Sequence, residues 1–354
     1  MNEKIALVDH SFHRRTNSTS FLIEILKKHF HVDVIWDNAW QEGPHTDLKY
    51  LKNKGYKKII LFQQIYYGKK ELREIDGVNL IIIPMYDCCS SCSYRFWQKF
   101  RYVKVINFSR ALHLKLKKYR FMSKYFQYFP NTSNSVLSPL TGDSLSGFFW
   151  QRTDRITWKH IKVLIKETRF KRFYIHTAVD PPGYSLILPS EKEKNKYNIT
   201  LTNWFPKRKD YLKTLAKTDV YFAPRSHEGI GMSFLEAMAM GKCVVAPNNP
   251  TMNEYIVHGK TGLLYDPNRP KPLDFSDVKR IGMNARDYME NGYKEWLEAE
   301  AELIDFIKLP LEKGIHNILH LRNAPFLIYG KEIIKKRFPL LARVLIKAKK
   351  FLFG

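Results

Sequence analysis

The 354-residue sequence has few cysteines, few acids and no long apolar run. Four cysteines are too few for a small disulfide-stabilised scaffold. No apolar stretch reaches the roughly 18–20 residues that a membrane-spanning helix needs, and the first residues lead into a strand-like stretch without the pattern of a signal peptide. A hydrophobic content of 44% excludes a chain that is disordered throughout. These features predict a cytoplasmic protein with substantial buried cores.

Acidic side chains are scarce, because 34 Asp and Glu stand against 59 Lys and Arg, a net charge of +25. Two stretches, 95–124 and 331–354, together carry +17 of this charge. The first stretch interleaves its cations with the aromatic residues Phe96, Trp97, Phe100 and Tyr102, and Tyr94 stands directly before it. The second has the pattern of an amphipathic helix. Basic and apolar side chains together suit the surface of an anionic membrane; for each stretch the alternative is an ordinary solvated face.

A nucleic-acid partner is disfavoured, because the positive charge comes without a zinc finger, an RNA-recognition signature or a helix-turn-helix pattern. The partners that the composition favours are therefore an anionic membrane surface or a phosphorylated substrate.

Strand-sized apolar runs alternate with helix-length segments along most of the chain, a pattern typical of parallel α/β sheets. The predicted strands begin at Lys4, His31, Lys58, Leu80 and Tyr102 and, in the second half, at Gly147, Arg172, Asn198, Asp219 and Lys242. Residues 130–147 are rich in Asn, Ser, Thr, Pro and Gly and form the predicted linker. Two such domains leave a cleft at the carboxyl ends of their strands, where open sheets bind ligands.

The segment 221–241 has the pattern of a strand, a loop, a helix and a terminating glycine. Gly229 and Gly231 precede the predicted helix, whose free N–H groups and dipole favour a phosphate. Glu228 lies in the loop and Glu236 lies one turn into the helix, and carboxylates make strong hydrogen bonds to sugar hydroxyls. From these residues alone two interpretations stay open: a capped helix with surface acids, or a site for a ligand such as a nucleotide sugar.

The run from Glu228 to Ala246, with its Glu-x7-Glu spacing, and the following run from Asn253 to Leu264 resemble the donor-binding half of GT-B glycosyltransferases. They are similar to the large retaining group described as glycosyltransferase family 4-like, or group 1. The resemblance implies an α/β fold of two Rossmann-like, doubly wound domains that face each other across a cleft. We expect an acceptor-side domain at 1–140, a donor-binding domain at 141–310 and a basic, amphipathic C-terminal helical segment at 311–354.

The resemblance also assigns roles on the donor side. Glu228 would contact the hydroxyls of the transferred sugar, and Glu236 would hold the ribose of the nucleotide. The backbone around the helix start would face the diphosphate, at Gly229, Gly231, Met232 and Ser233.

An Arg and a Lys that neutralise the diphosphate would correspond to Arg152 and Lys159. Here the sequence departs from the family pattern, because Gln151 replaces the usual Gly and Arg155 competes with Arg152 for the role.

The acceptor half is less informative. Asp87 follows the predicted fourth strand, near where many relatives place a His, and is a candidate acid/base or sugar-hydroxyl ligand; the alternative is a residue that merely ends the strand. A Gly-rich loop is missing after the first strand. Four residues there are candidates for phosphate binding, with helix capping as the alternative: Arg14, Arg15, Thr16 and Ser18.

No metal or other cofactor is expected, because the Asp-x-Asp pattern that anchors a metal in the other major glycosyltransferase fold is missing. Cys89 and Cys92 form a single Cys-x2-Cys without a second pair or a nearby His, so free thiols are expected rather than a zinc site.

The sequence thus predicts a glycosyltransferase that moves a sugar from a nucleotide sugar to a lipid-linked or membrane-associated glycan, as in bacterial surface polysaccharide synthesis, at the inner face of the membrane. Retention of configuration rests on the resemblance alone. The alternatives are a GT-B-fold nucleotide-sugar epimerase or hydrolase, and a non-catalytic basic protein that binds membranes.

Overall fold

Two parallel six-stranded sheets, each covered by helices, form the body of the protein in a computed structural model. The structure describes residues 3–41, 43–134, 144–179, 183–205 and 207–310. The predicted basic segment 311–354 and residues 135–143 of the predicted linker lie outside the described residues.

The first sheet has the strand order β2-β1-β3-β4-β5-β6, and all its pairings are parallel. Its strands are Lys4–His10 (β1), His31–Asp37 (β2), Lys58–Phe62 (β3), Asn79–Ile83 (β4), Lys104–Asn107 (β5) and Ser123–Tyr125 (β6). The α-helices between them are Phe12–Thr16 (α1), Ser20–His29 (α2), Leu48–Asn53 (α3), Lys69–Glu74 (α4), Tyr86–Cys89 (α5), Tyr94–Trp97 (α6) and Arg110–Lys118 (α7). Short 3-10 helices lie at Ala39–Gln41, Gln98–Phe100 and Thr132–Asn134.

The second sheet has the strand order β12-β11-β10-β7-β8-β9 and is also parallel. Its strands are Leu145–Trp150 (β7), Phe170–His176 (β8), Ile199–Thr202 (β9), Val220–Phe222 (β10), Cys243–Pro247 (β11) and Leu263–Tyr265 (β12). Its helices are Trp158–Leu164 (α8), Glu191–Tyr197 (α9), Arg208–Ala216 (α10), Met232–Ala239 (α11), the 3-10 turn Met252–Glu254, and Val278–Lys308 (α12).

The central strands are continuous apolar runs because helices cover both faces of each sheet. All five residues of β3 and all five residues of β11 are buried. The predicted fold class of two Rossmann-like α/β domains is confirmed. All ten predicted strands are present as β1–β5 and β7–β11, although β7 begins at Leu145, inside the predicted linker.

Helix α12 packs on both domains. Near its start, Ile281 is buried in the core of the second domain, whereas Trp296 packs against Phe21, Phe108 and Tyr128 of the first. At its end, the buried ammonium of Lys104 donates hydrogen bonds to three backbone carbonyls, those of Phe306, Ile307 and Leu309, at 2.6–3.0 Å. A cation here satisfies carbonyl groups that have no partner within the helix.

The aromatic residues of the basic stretch 95–124 mostly face the core, although Tyr102 is 54% exposed. Tyr94, Trp97 and Phe100 are buried against the first sheet, and Lys104 is buried under the end of α12. These rings are therefore not available to a membrane. Six cations of the stretch are exposed: Arg95, Arg101, Arg110, Lys117, Lys118 and Arg120.

Replacement of Gly282 by Ala should destabilise the fold. Gly282 lies in α12 where the helix touches the chain at Gly241, and a Cβ there would collide with the Gly241 carbonyl oxygen. Overpacking against backbone that cannot move aside typically costs about 1–3 kcal/mol, more than the helix propensity of Ala returns. Urea denaturation measures the change, with Glu298→Ala on the exposed face of α12 as the control. Equal stability of the two variants would contradict the close packing.

Candidate active site

The carboxyl ends of the two sheets face each other, and three contacts join their loops. The guanidinium of Arg15, after β1, lies 5.0 Å from the ring centre of Trp204, after β9. Asp87, after β4, forms an ion pair with Arg225, after β10. After β5 and β11, Glu254 accepts hydrogen bonds from the first residues of α7, including one from the N–H of Arg110. The loops that line this cleft are those where open α/β sheets bind ligands.

The loop between β10 and α11 is held in one conformation by close packing. Gly229 lies against Met85 of the first domain, and a Cβ there would come within 2.8 Å of the Met85 sulfur. Gly231 has φ +86° and begins α11, a backbone conformation that favours glycine. The buried hydroxyl of Thr251 donates to the carbonyls of Glu228 and Gly229, at 2.8 and 3.1 Å. These contacts therefore fix the backbone of the loop that precedes α11.

Helix α11 begins at this loop. The N–H groups of Met232 and Ser233 belong to its first turn and have no acceptor within the helix. They also lie at the positive end of the helix dipole, which favours an anion such as a phosphate. Three of the four predicted backbone positions, Gly231, Met232 and Ser233, thus lie at the start of this helix, and Gly229 lies in the loop before it.

The two predicted catalytic residues, Glu228 and Asp87, contact the same arginine, Arg225. Glu228 is 4% exposed, and its Oε2 lies 3.6 Å from a guanidinium nitrogen of Arg225. A second nitrogen of the same guanidinium lies 2.9 Å from Oδ2 of Asp87. Arg225 therefore joins a carboxylate of the second domain to a carboxylate of the first. Arg225 was not among the residues predicted from the sequence, although it stands three residues before Glu228.

Glu236 lies on α11, one turn beyond Ser233, and forms an ion pair with Arg208 at the start of α10. Burial raises the pKa of Glu236, and the positive charge of Arg208 opposes that rise. Arg208 is a second residue that the sequence analysis missed. Its side chain is exposed and long, so it can move aside for a ligand.

Arg152 follows β7 and is partly buried, with its guanidinium 5.1 Å from the ring centre of Trp150. Burial raises the pKa of the Tyr221 phenol; Arg152 opposes the rise and Glu228 adds to it, so both charges lie near this ring. Lys159, in contrast, is exposed in the first turn of α8.

The departure at Gln151 now has a physical reason. The Gln151 side chain is fully buried, and its Oε1 accepts the N–H of Trp158, the first residue of α8, at 2.9 Å. The Gln151 side chain thus accepts a hydrogen bond from a free N–H group at the start of α8, and this bond fixes the loop that carries Arg152. Arg155 is exposed in the same loop, and its charge adds to the fall in the pKa of His227 that burial causes.

On the acceptor side, Arg14 and Arg15 are exposed on α1, and Arg15 faces the second domain through Trp204. The alternative prediction, that Thr16 and Ser18 cap the next helix, is wrong. Thr16 ends α1, and the two hydroxyls bond each other at 2.9 Å while α2 begins after Thr19.

A buried carboxylate–imidazole pair lies in the same loop. Asp9 is 0% exposed and accepts hydrogen bonds from His13 Nδ1 at 2.8 Å, Thr19 Oγ1 at 2.6 Å and the N–H of His10 at 2.7 Å. These bonds fix the His13 ring and leave its Nε2 as the other polar atom. Burial and the neighbouring His13 lower the pKa of His10 to about 4. The sequence analysis missed this pair, although its signal is the run of Asp9, His10 and His13 after the first strand.

Within the described ranges, no group of three or more His, Cys, Asp or Glu side chains is arranged to hold a metal ion. In the same ranges, no helix has the length and apolar character needed to cross a membrane.

Comparisons with known proteins agree with this architecture. Residues 181–276 match the family model described as glycosyl transferases group 1. Sucrose-phosphate synthase from Thermosynechococcus elongatus aligns with a TM-score of 0.64 at 14% identity, over 86% of this chain and 98% of that one. HepE from Anabaena, in complex with UDP-glucose, aligns with a TM-score of 0.57 at 14% identity, over 85% and 99% of the two chains. The lipopolysaccharide outer core galactosyltransferase WaaB aligns with a TM-score of 0.56 at 13% identity, over 86% and 100%. Comparison with curated protein sequences gives no match.

The two facing parallel sheets and these structural relatives define the GT-B fold. The group 1 match covers the loop of Glu228 and helix α11, where the donor-side residues converge. The protein is a glycosyltransferase.

Proposed function

We propose that the protein transfers a sugar from a nucleotide sugar to a lipid-linked or membrane-associated glycan. One observation carries the donor part of this proposal: Glu228 and Glu236 lie on either side of the positive start of α11, at the cleft between the sheets. Carboxylates suit hydroxyls and helix-start amides suit phosphate. A ligand with sugar hydroxyls at both ends of a diphosphate fits this order of groups.

The charges around the site support a reaction without a metal. Cleavage of the bond between sugar and diphosphate builds negative charge on the leaving phosphate. Arg152 and the N–H groups of Met232 and Ser233 are fixed donors that can stabilise this charge in the transition state. We propose that they do so without a divalent cation, and that the configuration at the transferred carbon is retained.

The named relatives support a nucleotide-sugar donor and a surface glycan. HepE has been solved with UDP-glucose, and WaaB acts on the outer core of lipopolysaccharide. The six exposed cations of stretch 95–124 and the basic sequence 331–354 support docking to an anionic membrane, at the cytoplasmic face where nucleotide sugars would be met.

A panel of nucleotide sugars tests the donor proposal. Purified protein is incubated with UDP, GDP, ADP, CMP and dTDP sugars, and release of the nucleotide is measured with and without EDTA. We expect one or two donors to be hydrolysed slowly, at a rate that EDTA leaves unchanged. Hydrolysis of none, together with no nucleotide binding by calorimetry, would contradict the proposal; a product that keeps its nucleotide would favour an epimerase.

Deletion of residues 331–354 tests the membrane proposal. We expect the truncated protein to sediment less with anionic vesicles than the full chain does, and added salt to weaken binding of the full chain, since surface charges are screened. Neutral vesicles are the control. Equal sedimentation of both proteins would leave this segment as an ordinary basic tail.

A further inference from the structure

Three of the four cysteines lie together in the loop after β4. Cys88 and Cys89 end helix α5, and Cys92 follows three residues later. The sulfur atoms of Cys88 and Cys89 are 3.5 Å apart, and the Cys92 thiol lies 3.9 Å from the carbonyl oxygen of Cys88. The chemistry of sugar transfer assigns no role to these thiols.

The backbone brings Cys89 and Cys92 to disulfide distance. The N–H of Cys92 donates to the carbonyl of Cys89 at 3.1 Å, which closes a turn. Residues that close such a turn have Cα atoms less than about 7 Å apart, and disulfides span about 4.4–6.8 Å between Cα atoms. A bond between these two residues needs little movement of the chain.

The two thiols differ in reactivity. Cys92 is partly exposed, and the ammonium of Lys115 on α7 donates to its carbonyl at 2.7 Å and to that of Ser90 at 2.8 Å. The hydrogen bond from Cys89, and the charges of Lys115 and Lys99, lower the pKa of Cys92 to about 7. Cys89 is buried, and its contacts with the other two thiols and its burial raise its pKa. A partly exposed thiolate beside a protonated partner is the arrangement of an attacking and a resolving cysteine.

We propose that Cys89 and Cys92 are a redox modification site that a hydroperoxide converts to a disulfide. The Cys92 thiolate attacks the peroxide oxygen, the O–O bond breaks, and the sulfur becomes a sulfenic acid as an alcohol or water leaves. Cys89 then loses its proton and attacks the Cys92 sulfur, and water leaves. The two thiols are oxidised by two electrons and the peroxide is reduced. A dithiol then reduces the disulfide back to the two thiols and is itself oxidised to a disulfide.

The site lies beside the cleft. Helix α5 also carries Asp87, the partner of Arg225, and Tyr86, whose ring centre is 6.0 Å from that of His227 in the second domain. A disulfide at the end of this helix would restrain the loop that supplies the first domain's contacts with the donor loop.

Peptide mass spectrometry tests the proposal without any knowledge of the sugar substrates. The full-length protein is treated with hydrogen peroxide, alkylated and digested, and the peptide 74–95 is examined for the loss of two hydrogen atoms. We expect this loss in the wild type and in Cys88→Ser, its reversal by dithiothreitol, and its disappearance in Cys89→Ser and Cys92→Ser. Cys243, which is buried with a pKa raised to about 12, is the unreactive internal control.

A second variant tests whether the reactivity of the Cys92 thiolate, and not only its distance from Cys89, controls formation of the bond. We expect Lys115→Met to slow formation of the bond at neutral pH by about fivefold or more, because the Cys92 thiolate loses a neighbouring cation. A bond that survives in Cys92→Ser, no bond in Cys88→Ser, or an unchanged rate in Lys115→Met would overturn the assignment. Failure of the sugar panel would leave this result unaffected.

Discussion

Replacement of Glu228 by Gln is expected to lower sugar transfer by roughly 10²–10³-fold while nucleoside diphosphate affinity changes by less than about threefold. Gln keeps the volume of the side chain in its buried position and its capacity to hydrogen bond, but it removes the charge that lies beside Arg225. The lost interaction is one with the reacting sugar, so the loss should appear in kcat more than in nucleotide binding.

The measurement is initial-rate kinetics with the donor found in the panel, together with calorimetry for the nucleoside diphosphate. The matched control is Glu236→Gln, on the helix that follows the loop of Glu228, which should weaken nucleotide binding because its carboxylate faces the proposed ribose position. Equal loss of binding and transfer in Glu228→Gln would assign Glu228 a structural role in the loop.

Arg152→Met should lower the rate of donor cleavage by roughly 10²–10³-fold, since a fixed positive group beside the leaving phosphate is lost. Met approximates the length of the apolar stem and keeps part of the packing against Trp150. Lys159→Met should cost much less, roughly tenfold at most, because an exposed lysine is solvated and its charge is screened.

Single-turnover release of the nucleotide distinguishes the two variants, since it reports cleavage rather than product release. Arg155→Met in the same loop serves as the control for a general loss of positive charge. A larger effect at Lys159 or Arg155 than at Arg152 would move the phosphate-neutralising role to that residue.

The order of strands and helices could be read from the sequence because buried parallel strands are continuous apolar runs. The strands β6 and β12 were not predicted; each has three residues, and β6 is polar in part with no fully buried residue, unlike the equally short but fully buried β10. The donor loop was also predictable, since Glu228, Gly231 and Glu236 lie within nine residues of one another and local geometry alone brings them together.

Arg225 and the Asp9–His13 pair depend on tertiary contacts. The distance between Arg225 and Asp87 is set by the closure of two domains, which no local pattern encodes. Asp9 and His13 are close in sequence, but the burial that gives their contact its strength comes from the packing of the surrounding domain.

The basic stretch shows where composition misleads. Aromatic rings between cations suit a membrane surface and a sheet-covering helix equally well in sequence. Trp97 and Phe100 are core residues and Lys104 is buried, whereas Tyr102 and six cations of the stretch are exposed. The interleaving of rings and cations therefore does not distinguish core residues from surface residues.

The most direct test of the donor site is a crystal structure of the protein with the nucleoside diphosphate that the panel identifies. We expect the ribose hydroxyls on Glu236 in place of Arg208, and the diphosphate at the N–H groups of Met232 and Ser233 beside Arg152. A nucleotide bound away from the start of α11, or a diphosphate held by other residues, would contradict the proposed donor site.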